Sequence, residues 1–82
     1  MPRFYFDFRD ANGLVVDDEG REMEHLDAVQ IEAARSLVDM TRDSLLAASA
    51  HSIEQMSISV RDDGGPVLNV RLAFEIEKAA NK

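Results

Sequence analysis

Hydrophobic and polar residues alternate strictly in two stretches of the chain. Residues 3–9 read R-F-Y-F-D-F-R and residues 56–61 read M-S-I-S-V-R, so apolar side chains occupy every second position in both. A period of two with β-branched and aromatic residues is typical of a strand with one buried face. Each stretch continues through a turn rich in aspartate and glycine into another apolar segment. The pattern therefore predicts two β-hairpins.

The two hairpins share an internal repeat. Residues 8–16 read F-R-D-A-N-G-L-V-V, and residues 60–68 read V-R-D-D-G-G-P-V-L. An aspartate suits the first position of a type I turn, and a glycine suits the left-handed position after it, which predicts a three-residue loop with a G1 bulge. Apolar residues then face apolar residues across each hairpin. The predicted pairs are Phe8–Val16, Asp10–Leu14, Asp62–Pro66, Val60–Leu68, Ile58–Val70 and Met56–Leu72.

A helical pattern connects the two hairpins over residues 27–48. Asp27 suits the N-cap and Gln30 completes a capping box, while Leu26 and Ile31 are spaced as a hydrophobic staple. We expect the helix to end within Ser49–Ser52. The face expected to pack on a sheet comprises Leu26, Ala33, Ala34, Leu37, Met40, Thr41, Ser44, Leu45 and Ala48.

The element order is therefore ββαββ, which predicts an α+β two-layer sandwich: a four-stranded antiparallel sheet with one long helix on one face. A right-handed crossover favours strand order 2-1-3-4, and order 2-1-4-3, with strands 1 and 4 parallel in the middle, is the alternative. We expect one domain over residues 1–76 and a polar tail over residues 77–82. The predicted core is Phe4, Phe6, Phe8, Val16, Leu37, Met56, Ile58, Val60, Leu68, Val70 and Leu72.

Several short motifs occur along the chain in a characteristic order. They are the opening M-P-R-F-Y-F-D-F-R-D, the N-G turn, D-D-E-G after the second strand, leucine-aspartate before an E-A-A-R helix, and V-R-D-D-G-G-P-V-L. In this combination the chain resembles a domain-of-unknown-function family of short proteins from alphaproteobacteria. The resemblance implies a bacterial protein, and it implies no catalytic or binding residues.

Composition narrows the possible functions. The chain has 82 residues, a net charge of −7 and no cysteine. The negative charge disfavours a general binder of nucleic acid or anionic membranes, because both need a basic surface. The absence of cysteine excludes disulfides, a thiol nucleophile and cysteine-based metal sites. No apolar run approaches a membrane span or a signal peptide, so we expect a soluble, cytoplasmic protein.

No pattern of reactive residues indicates catalysis. His25 and His51 flank the predicted helix and lie about 30 Å apart along it, too far to share a metal ion or a catalytic dyad. The acidic segment 17–24 lacks the spacing of a calcium loop and is expected to be a solvated loop, with cation binding as the alternative. No phosphate-binding glycine motif occurs. We expect no enzymatic activity, no metal and no cofactor.

The predicted sheet has one face under the helix and one open face. Four of the seven arginines fall on this open face. We expect a small non-catalytic interaction or regulatory module that binds a protein partner, or a second copy as a homodimer, through it. A nucleic-acid-linked regulator is the alternative, although Tyr5 is the one aromatic residue available for stacking. An ordinary solvated face is the simplest interpretation. The candidate interaction surface is Arg3, Tyr5, Arg9, Val15, Arg61, Val67 and Arg71.

Overall fold

The computed structural model describes residues 2–47 and 53–80. The elements are β1 (Arg3–Asp10), β2 (Gly13–Val15), β3 (Arg21–Glu22), α1 (Leu26–Ala47), β4 (Ile53–Asp62) and β5 (Gly65–Glu75). The predicted α+β class, with one helix and an antiparallel sheet, is confirmed. No helix in these ranges is both long enough and apolar enough to cross a membrane.

In the described part of the chain the sheet has five strands rather than the predicted four. Its main path is β2-β1-β4-β5, and the two-residue strand β3 pairs with the start of β1. Every pairing is antiparallel. The predicted ββαββ arrangement is therefore not matched exactly, because β3 is inserted between the first hairpin and the helix. The alternative order is wrong, because β1 lies beside β4, which is the first strand of the second hairpin, and the strand pairs in the described residues are all antiparallel.

Both hairpins turn through the same local structure. The Oδ1 atoms of Asp10 and Asp62 each accept a hydrogen bond from the backbone N–H two residues later, at 2.8 Å. Gly13 has φ of 129° and Gly65 has φ of 121°, a region that favours glycine. Each aspartate pairs directly with its glycine, so the loops have two residues rather than three. The predicted pairs Asp10–Leu14 and Asp62–Pro66 are wrong for this reason.

Beyond its turn, the second hairpin follows the predicted register. Val60 pairs with Leu68, Ile58 with Val70 and Met56 with Leu72, as predicted. The bulge lies between the Arg61–Pro66 and Val60–Leu68 pairs, which makes Val67 the extra residue. The predicted bulge was at the turn glycine, whereas the structure has it at Val67. One extra residue in β5 still follows the turn, so the pairs beyond the bulge have the predicted register.

The first hairpin departs from its predicted register. Phe8 pairs with Val15, and β2 ends there, so the predicted Phe8–Val16 pair is wrong. Val16 is 56% exposed and does not belong to the core. The physical reason is Asp17, whose Oδ2 accepts a hydrogen bond from the backbone N–H of Phe6 at 3.1 Å. A side-chain oxygen thus occupies a position on β1 that a longer β2 would have used.

Helix α1 begins one residue earlier than predicted. The carbonyl oxygen of His25 accepts hydrogen bonds from the N–H groups of Ala28 at 3.1 Å and Val29 at 3.2 Å. Asp27 therefore lies within the first turn rather than at the N-cap, where its carboxylate still interacts favourably with the helix dipole. The predicted helix end within Ser49–Ser52 lies outside the described residues.

One line of helix residues packs against β4 and β5. Val29, Ala33, Leu37 and Thr41 are buried, and their spacing of four residues keeps them on one side of the helix. Because this line begins at Val29 rather than at Leu26, the predicted helix face is only partly correct. Predicted contact residues that are exposed instead are Leu26, Ala34, Met40 and Leu45. Ala48 lies outside the described residues.

The core lies between α1 and the sheet. The buried apolar residues are Phe4, Val29, Ala33, Leu37, Met56, Ile58 and Val60. Half-buried residues from the sheet pack around them, including Phe6, Phe8, Leu68, Val70 and Leu72. With the exception of Val16, the predicted core residues belong to this cluster or pack against it.

Candidate interaction face

The open face is the side of the sheet opposite α1. Cross-strand partners share a face, so the pairs formed by Tyr5 with Arg61 and by Arg9 with Ser57 identify it on the two central strands. The pairing of Ser57 with Arg71 extends it to β5. The residues of this face include Arg3, Tyr5, Asp7, Arg9, Leu14, Gln55, Ser57, Ser59, Arg61, Asn69, Arg71 and Ala73.

Two of the seven predicted surface residues lie on the other side. Val15 pairs with Phe8 and therefore shares the helix side of the sheet. Val67 is half-buried and packs against the core, because the bulge places it on the same side as Leu68. The prediction that Val15 and Val67 contribute to the open face is wrong. The five polar candidates, Arg3, Tyr5, Arg9, Arg61 and Arg71, are brought together on it.

Arg61 is engaged in holding the fold together. Its Nε donates to Asp7 Oδ2 at 2.9 Å, and an Nη donates to the carbonyl oxygen of Asp17 at 2.9 Å. Its guanidinium also stacks on the ring of Tyr5, 4.5 Å from the ring centre. The hydrogen bond to Asp7 raises the pKa of Arg61 above its ordinary value, and the side chain stays charged. Arg61 thereby fastens the segment after β2 to the middle of the sheet.

Asp17 is the other centre of this network. Burial acts to raise the pKa of its carboxyl, but hydrogen bonds from the backbone N–H groups of Phe6, Gly20 and Glu19, together with the nearby Arg21, outweigh it. The pKa of Asp17 consequently lies below its ordinary value. The backbone N–H of Asp17 in turn donates to Asp7 Oδ1 at 2.9 Å. The carboxylates of Asp7 and Asp17 therefore hold the segment that follows β2 against β1 by hydrogen bonds.

Arg3 and Gly20 complete the attachment of this segment. Arg3 donates to the carbonyl oxygen of Glu19 at 2.6 Å and pairs with Glu22 at 3.5 Å. Gly20 has φ of 73°, and a Cβ added there would lie 2.9 Å from side-chain atoms of both Arg3 and Tyr5. Only glycine allows this close approach. Arg3, Arg61 and Tyr5 are thus occupied within the chain.

Arg9 and Arg71 differ from the other two arginines of the face. Both are exposed and line an open groove with the hydroxyls of Ser57 and Ser59. Within the described ranges, the side chain of Arg9 forms no hydrogen bond or ion pair. Arg71 Nε donates to the side-chain oxygen of Asn69 at 3.2 Å in the amide orientation that satisfies both neighbours of Asn69. Within the described ranges, the terminal nitrogens of both guanidinium groups form no hydrogen bond with the chain.

These residues form one row across three strands. Arg9 pairs with Ser57, and Ser57 pairs with Arg71, so Ser57 lies between the two arginines. Strands lie about 4.8 Å apart, which places the two arginine backbones about 10 Å from each other. Side chains of this length converge over such a distance and can grip one carboxylate or two adjacent ones. The row therefore has the hydrogen-bond donors and positive charge that an anionic group requires.

The acidic segment 17–24 has no metal-binding geometry in the described part of the chain. No three histidine, aspartate or glutamate side chains converge there. The carboxylate of Asp17 is already used by backbone N–H groups, and Glu22 pairs with Arg3. His25 lies beside Glu24, 3.9 Å away, at the surface. His51 is outside the described residues.

Residues 3–73 match the model of a protein family, the domain of unknown function DUF6894. The chain belongs to this family. The match confirms the predicted membership of a domain-of-unknown-function family, and it includes the whole of the Arg9–Ser57–Arg71 row. No curated protein and no solved structure matches the chain.

The alternation of β4 and β5 predicts that Ser57, Ser59 and Asn69 lie on the open face, although the candidate surface does not include them. The alternating pattern of the sequence could have identified them, because small polar residues between two arginine-bearing positions leave space for a ligand. The contact of Asp7 with Arg61 was also detectable, because both belong to the same face. The role of Asp17 had no such signal, since it depends on where β2 ends.

Proposed function

We propose that this DUF6894 domain is a non-catalytic interaction module that binds an acidic segment of a protein partner on the open face, between Arg9 and Arg71. The observation that carries the proposal is the difference among the four arginines of that face. Arg3 and Arg61 are bound by carboxylates and carbonyls of the chain itself. Arg9 and Arg71 are exposed, line the groove on either side of Ser57, and keep their terminal nitrogens free of hydrogen bonds to the described chain.

Charge distribution favours an acidic partner at this position. The chain as a whole carries −7, so an acidic segment is repelled by most of the surface. The row of Arg9, Ser57 and Arg71 is a local exception that both attracts such a segment and fixes its orientation. Guanidinium groups bind carboxylates through paired N–H donors, which gives geometric specificity as well as attraction.

The shape of the groove suits a protein segment better than a small substrate. It is an open trough on a sheet rather than an enclosed pocket, and an extended peptide fits such a surface. Its hydroxyls have no imidazole beside them within the described ranges, which supports a binding role rather than catalysis. We place the module in the cytoplasm of a bacterium, as expected from its sequence.

Tyr5 bears on the nucleic-acid alternative. Sheet surfaces that bind single-stranded nucleic acid stack bases on exposed aromatic rings. The ring of Tyr5 is covered by the guanidinium of Arg61. A base would have to displace a residue that also holds Asp7 and Asp17, so we favour the protein partner.

The test is a titration of the ¹⁵N-labelled chain with a decaglutamate peptide at low salt, followed by NMR. We expect saturable shifts centred on the Arg9–Ser57–Arg71 row. The double variant R9Q/R71Q should weaken the affinity by about tenfold or more. The matched control is R35Q/R42Q, which removes two exposed arginines from the helix. It should leave the affinity unchanged.

Two results would contradict the proposal. Equal weakening in both double variants would mean that the peptide responds to overall charge rather than to the groove. Tighter binding of a single-stranded oligonucleotide than of decaglutamate, with shifts at Tyr5, would instead support the nucleic-acid alternative.

A further inference from the structure

Strand β5 has one free edge. It runs over eleven residues, Gly65–Glu75, and pairs with β4 on one side only within the described part of the sheet. Pro66 and the bulge at Val67 disrupt the first part of the free edge, and edges are commonly protected in this way. From Leu68 to Glu75 the strand is regular and contains no lysine or proline. Its outward N–H and C=O groups are available to another strand.

An apolar flank of α1 lies beside this edge. Glu32 pairs with Arg21, and Ser36 and Met40 line a groove with Phe6 and Phe8, so this side of the helix faces β1. At 100° per residue, the opposite flank, toward β5, carries Ala34, Val38 and Leu45. Val38 is 53% exposed and Leu45 is 45% exposed. A free strand edge and an uncovered apolar helix flank therefore adjoin each other.

We propose that a second copy of the chain covers both features, through antiparallel pairing of β5 with β5 of the second copy about a two-fold axis at Ala73. The interface lies at the edge of the sheet, and it goes beyond the proposed function of the open face. A two-fold contact uses the same patch on both copies, which is the commonest symmetry of small oligomers.

Charge selects the position of the axis. The charged residues of β5 are Arg71 and Glu75, and they lie two residues on either side of Ala73. An axis at Ala73 places each Arg71 directly opposite Glu75 of the second copy, twice in the dimer. An axis at Arg71 would oppose two arginines, and an axis at Leu72 would leave both charges without a directly opposite partner of the other sign. Ala73 is small enough to meet its own copy.

The helix position agrees with this axis. Thr41 Oγ1 lies 3.7 Å from Met56 Sδ, and Met56 pairs with Leu72, so Thr41 is level with the proposed axis. Val38 and Leu45 flank Thr41 by one turn on each side. Helix α1 packs on both β4 and β5, so the helix axis lies above the middle of this strand pair. The proposed two-fold axis lies midway between β5 and β5 of the second copy, which is one strand spacing, about 5 Å, further along the sheet. The two helices would then lie about 10 Å apart, close to the usual packing distance of 8–10 Å.

The dimer and the groove are compatible. A guanidinium carries five N–H donors, so Arg71 can contact Glu75 of the second copy and still donate to a ligand beside Ser57. Arg9 and Ser57 lie two strands and one strand away from the edge. Arg71 takes part in both proposals, whereas Arg9 belongs only to the groove and Glu75 only to the dimer, so variants of Arg9 and Glu75 test the two proposals separately.

The test uses the absence of cysteine from the chain. In the variant Ala73→Cys, the two thiols meet at the axis, where directly opposite strand residues lie about 5.5 Å apart between Cα atoms and accept a disulfide. We expect mild oxidation to give a linked species of twice the 9.2 kDa chain mass. The control is Asn69→Cys on the same strand and face, which lies away from the axis and should stay unlinked. Without oxidant, light scattering should give the dimer mass for the unaltered chain at moderate salt.

Charge exchange tests the register. R71E and E75R should each weaken the dimer by about tenfold or more, because each opposes like charges. The double variant R71E/E75R restores opposite charges and should recover the dimer, which a merely destabilised chain would not do. A monomer mass at every concentration, equal linking through Asn69→Cys, or no recovery in the double variant would overturn the inference. R9Q should leave the dimer intact, so loss of peptide binding in that variant bears on the groove alone.

Discussion

Both hairpins turn at an aspartate that accepts a backbone hydrogen bond, and both continue through a glycine of positive φ. The lengths of their strands differ, because β2 pairs with β1 over three positions whereas β5 pairs with β4 over ten. The difference arises after the turn. In the first hairpin the carboxylate of Asp17 takes the N–H of Phe6 and ends the pairing. In the second, the equivalent position of the repeat is Asn69, which stays in the strand opposite Ser59.

The comparison shows that a turn determines where two strands start to pair but not how far they continue. A single acidic side chain that competes for a strand N–H is enough to end one of them. The released segment then follows the edge of β1, held by Arg3 and Arg61. Matched substitutions at equivalent positions of the two hairpins test this explanation.

The largest effect is expected at Ile58 and its equivalent, Phe6. Ile58 is 1% exposed, and Ile58→Ala should lower the free energy of unfolding by about 3–4 kcal/mol through loss of buried surface and a residual cavity. Phe6 is half-buried, so Phe6→Ala should cost less, about 2 kcal/mol, despite the larger side chain. Urea denaturation of both variants measures the two costs. A larger cost at Phe6 would mean that the first hairpin carries more of the core than its burial indicates.

The next effect concerns the residue that ends β2. Asp17→Asn introduces the residue found at the equivalent position, Asn69, and should cost about 1–2 kcal/mol at pH 7, because an amide cannot accept all three backbone hydrogen bonds. Asn69→Asp is the control and should cost less, since no cluster of N–H groups surrounds it. Thermal or urea unfolding of each variant gives the comparison.

The cost of Asp17→Asn should also depend on pH. Because the pKa of Asp17 is lowered by folding, the ionised carboxylate stabilises the native state fully above its ordinary pKa of 3.8. This contribution is lost as the pH falls through the folded-state pKa. The stability difference between the unaltered chain and Asp17→Asn should therefore be constant near neutral pH and should shrink below about pH 4. A difference that grows on acidification would contradict the role assigned to the carboxylate.

A smaller contrast is expected at Val16 and its equivalent, Leu68. Leu68 is half-buried against the core, and Leu68→Ala should cost about 1.5–2 kcal/mol. Val16 is 56% exposed, and Val16→Ala should cost less than about 0.5 kcal/mol. Equal costs would indicate that Val16 pairs with Phe8 in solution, as the repeat alone predicts.

The smallest expected difference is between the two turns. Asp10→Ala and Asp62→Ala each remove one hydrogen bond of 2.8 Å to a backbone N–H and should each cost about 0.5–1 kcal/mol. Because the two turns share their geometry, the two costs should agree within experimental error. Unequal costs would show that the turns depend on the strands that follow them.

Much of the fold follows from short-range patterns. The alternation around Phe6 and Ile58 identifies the central strands and their buried face, and the Asp–Gly spacing identifies both turns. The register of the second hairpin also follows, because its apolar rows match in only one way. These features depend on residues that are neighbours in sequence or across a turn.

The features that escaped prediction depend on competition over longer distances. The hydrogen bond between Asp17 and Phe6 joins residues eleven positions apart, and no local pattern indicates that it outcompetes a ladder bond. Val67 itself was predicted on the open face, but the bulge places its side chain on the core side of the sheet. The helix face shifted because Val29 rather than Leu26 fits against the sheet. The arginines of the candidate site could be placed on one face, but which of them are engaged required the structure.

The long reach of Arg61 has a consequence for how the chain acquires its structure during synthesis. Arg61 is separated by 54 residues from Asp7 and by 44 from Asp17, and β1 lies between β2 and β4. A ribosome adding about 5–20 residues per second completes β1 on the order of 3–10 s before β4 emerges. During that interval β1 lacks its inner neighbour, and the segment after β2 lacks its anchor. We therefore expect that the first hairpin and the helix alone do not fold independently, and that the nascent chain becomes ordered only after the second hairpin has left the ribosome.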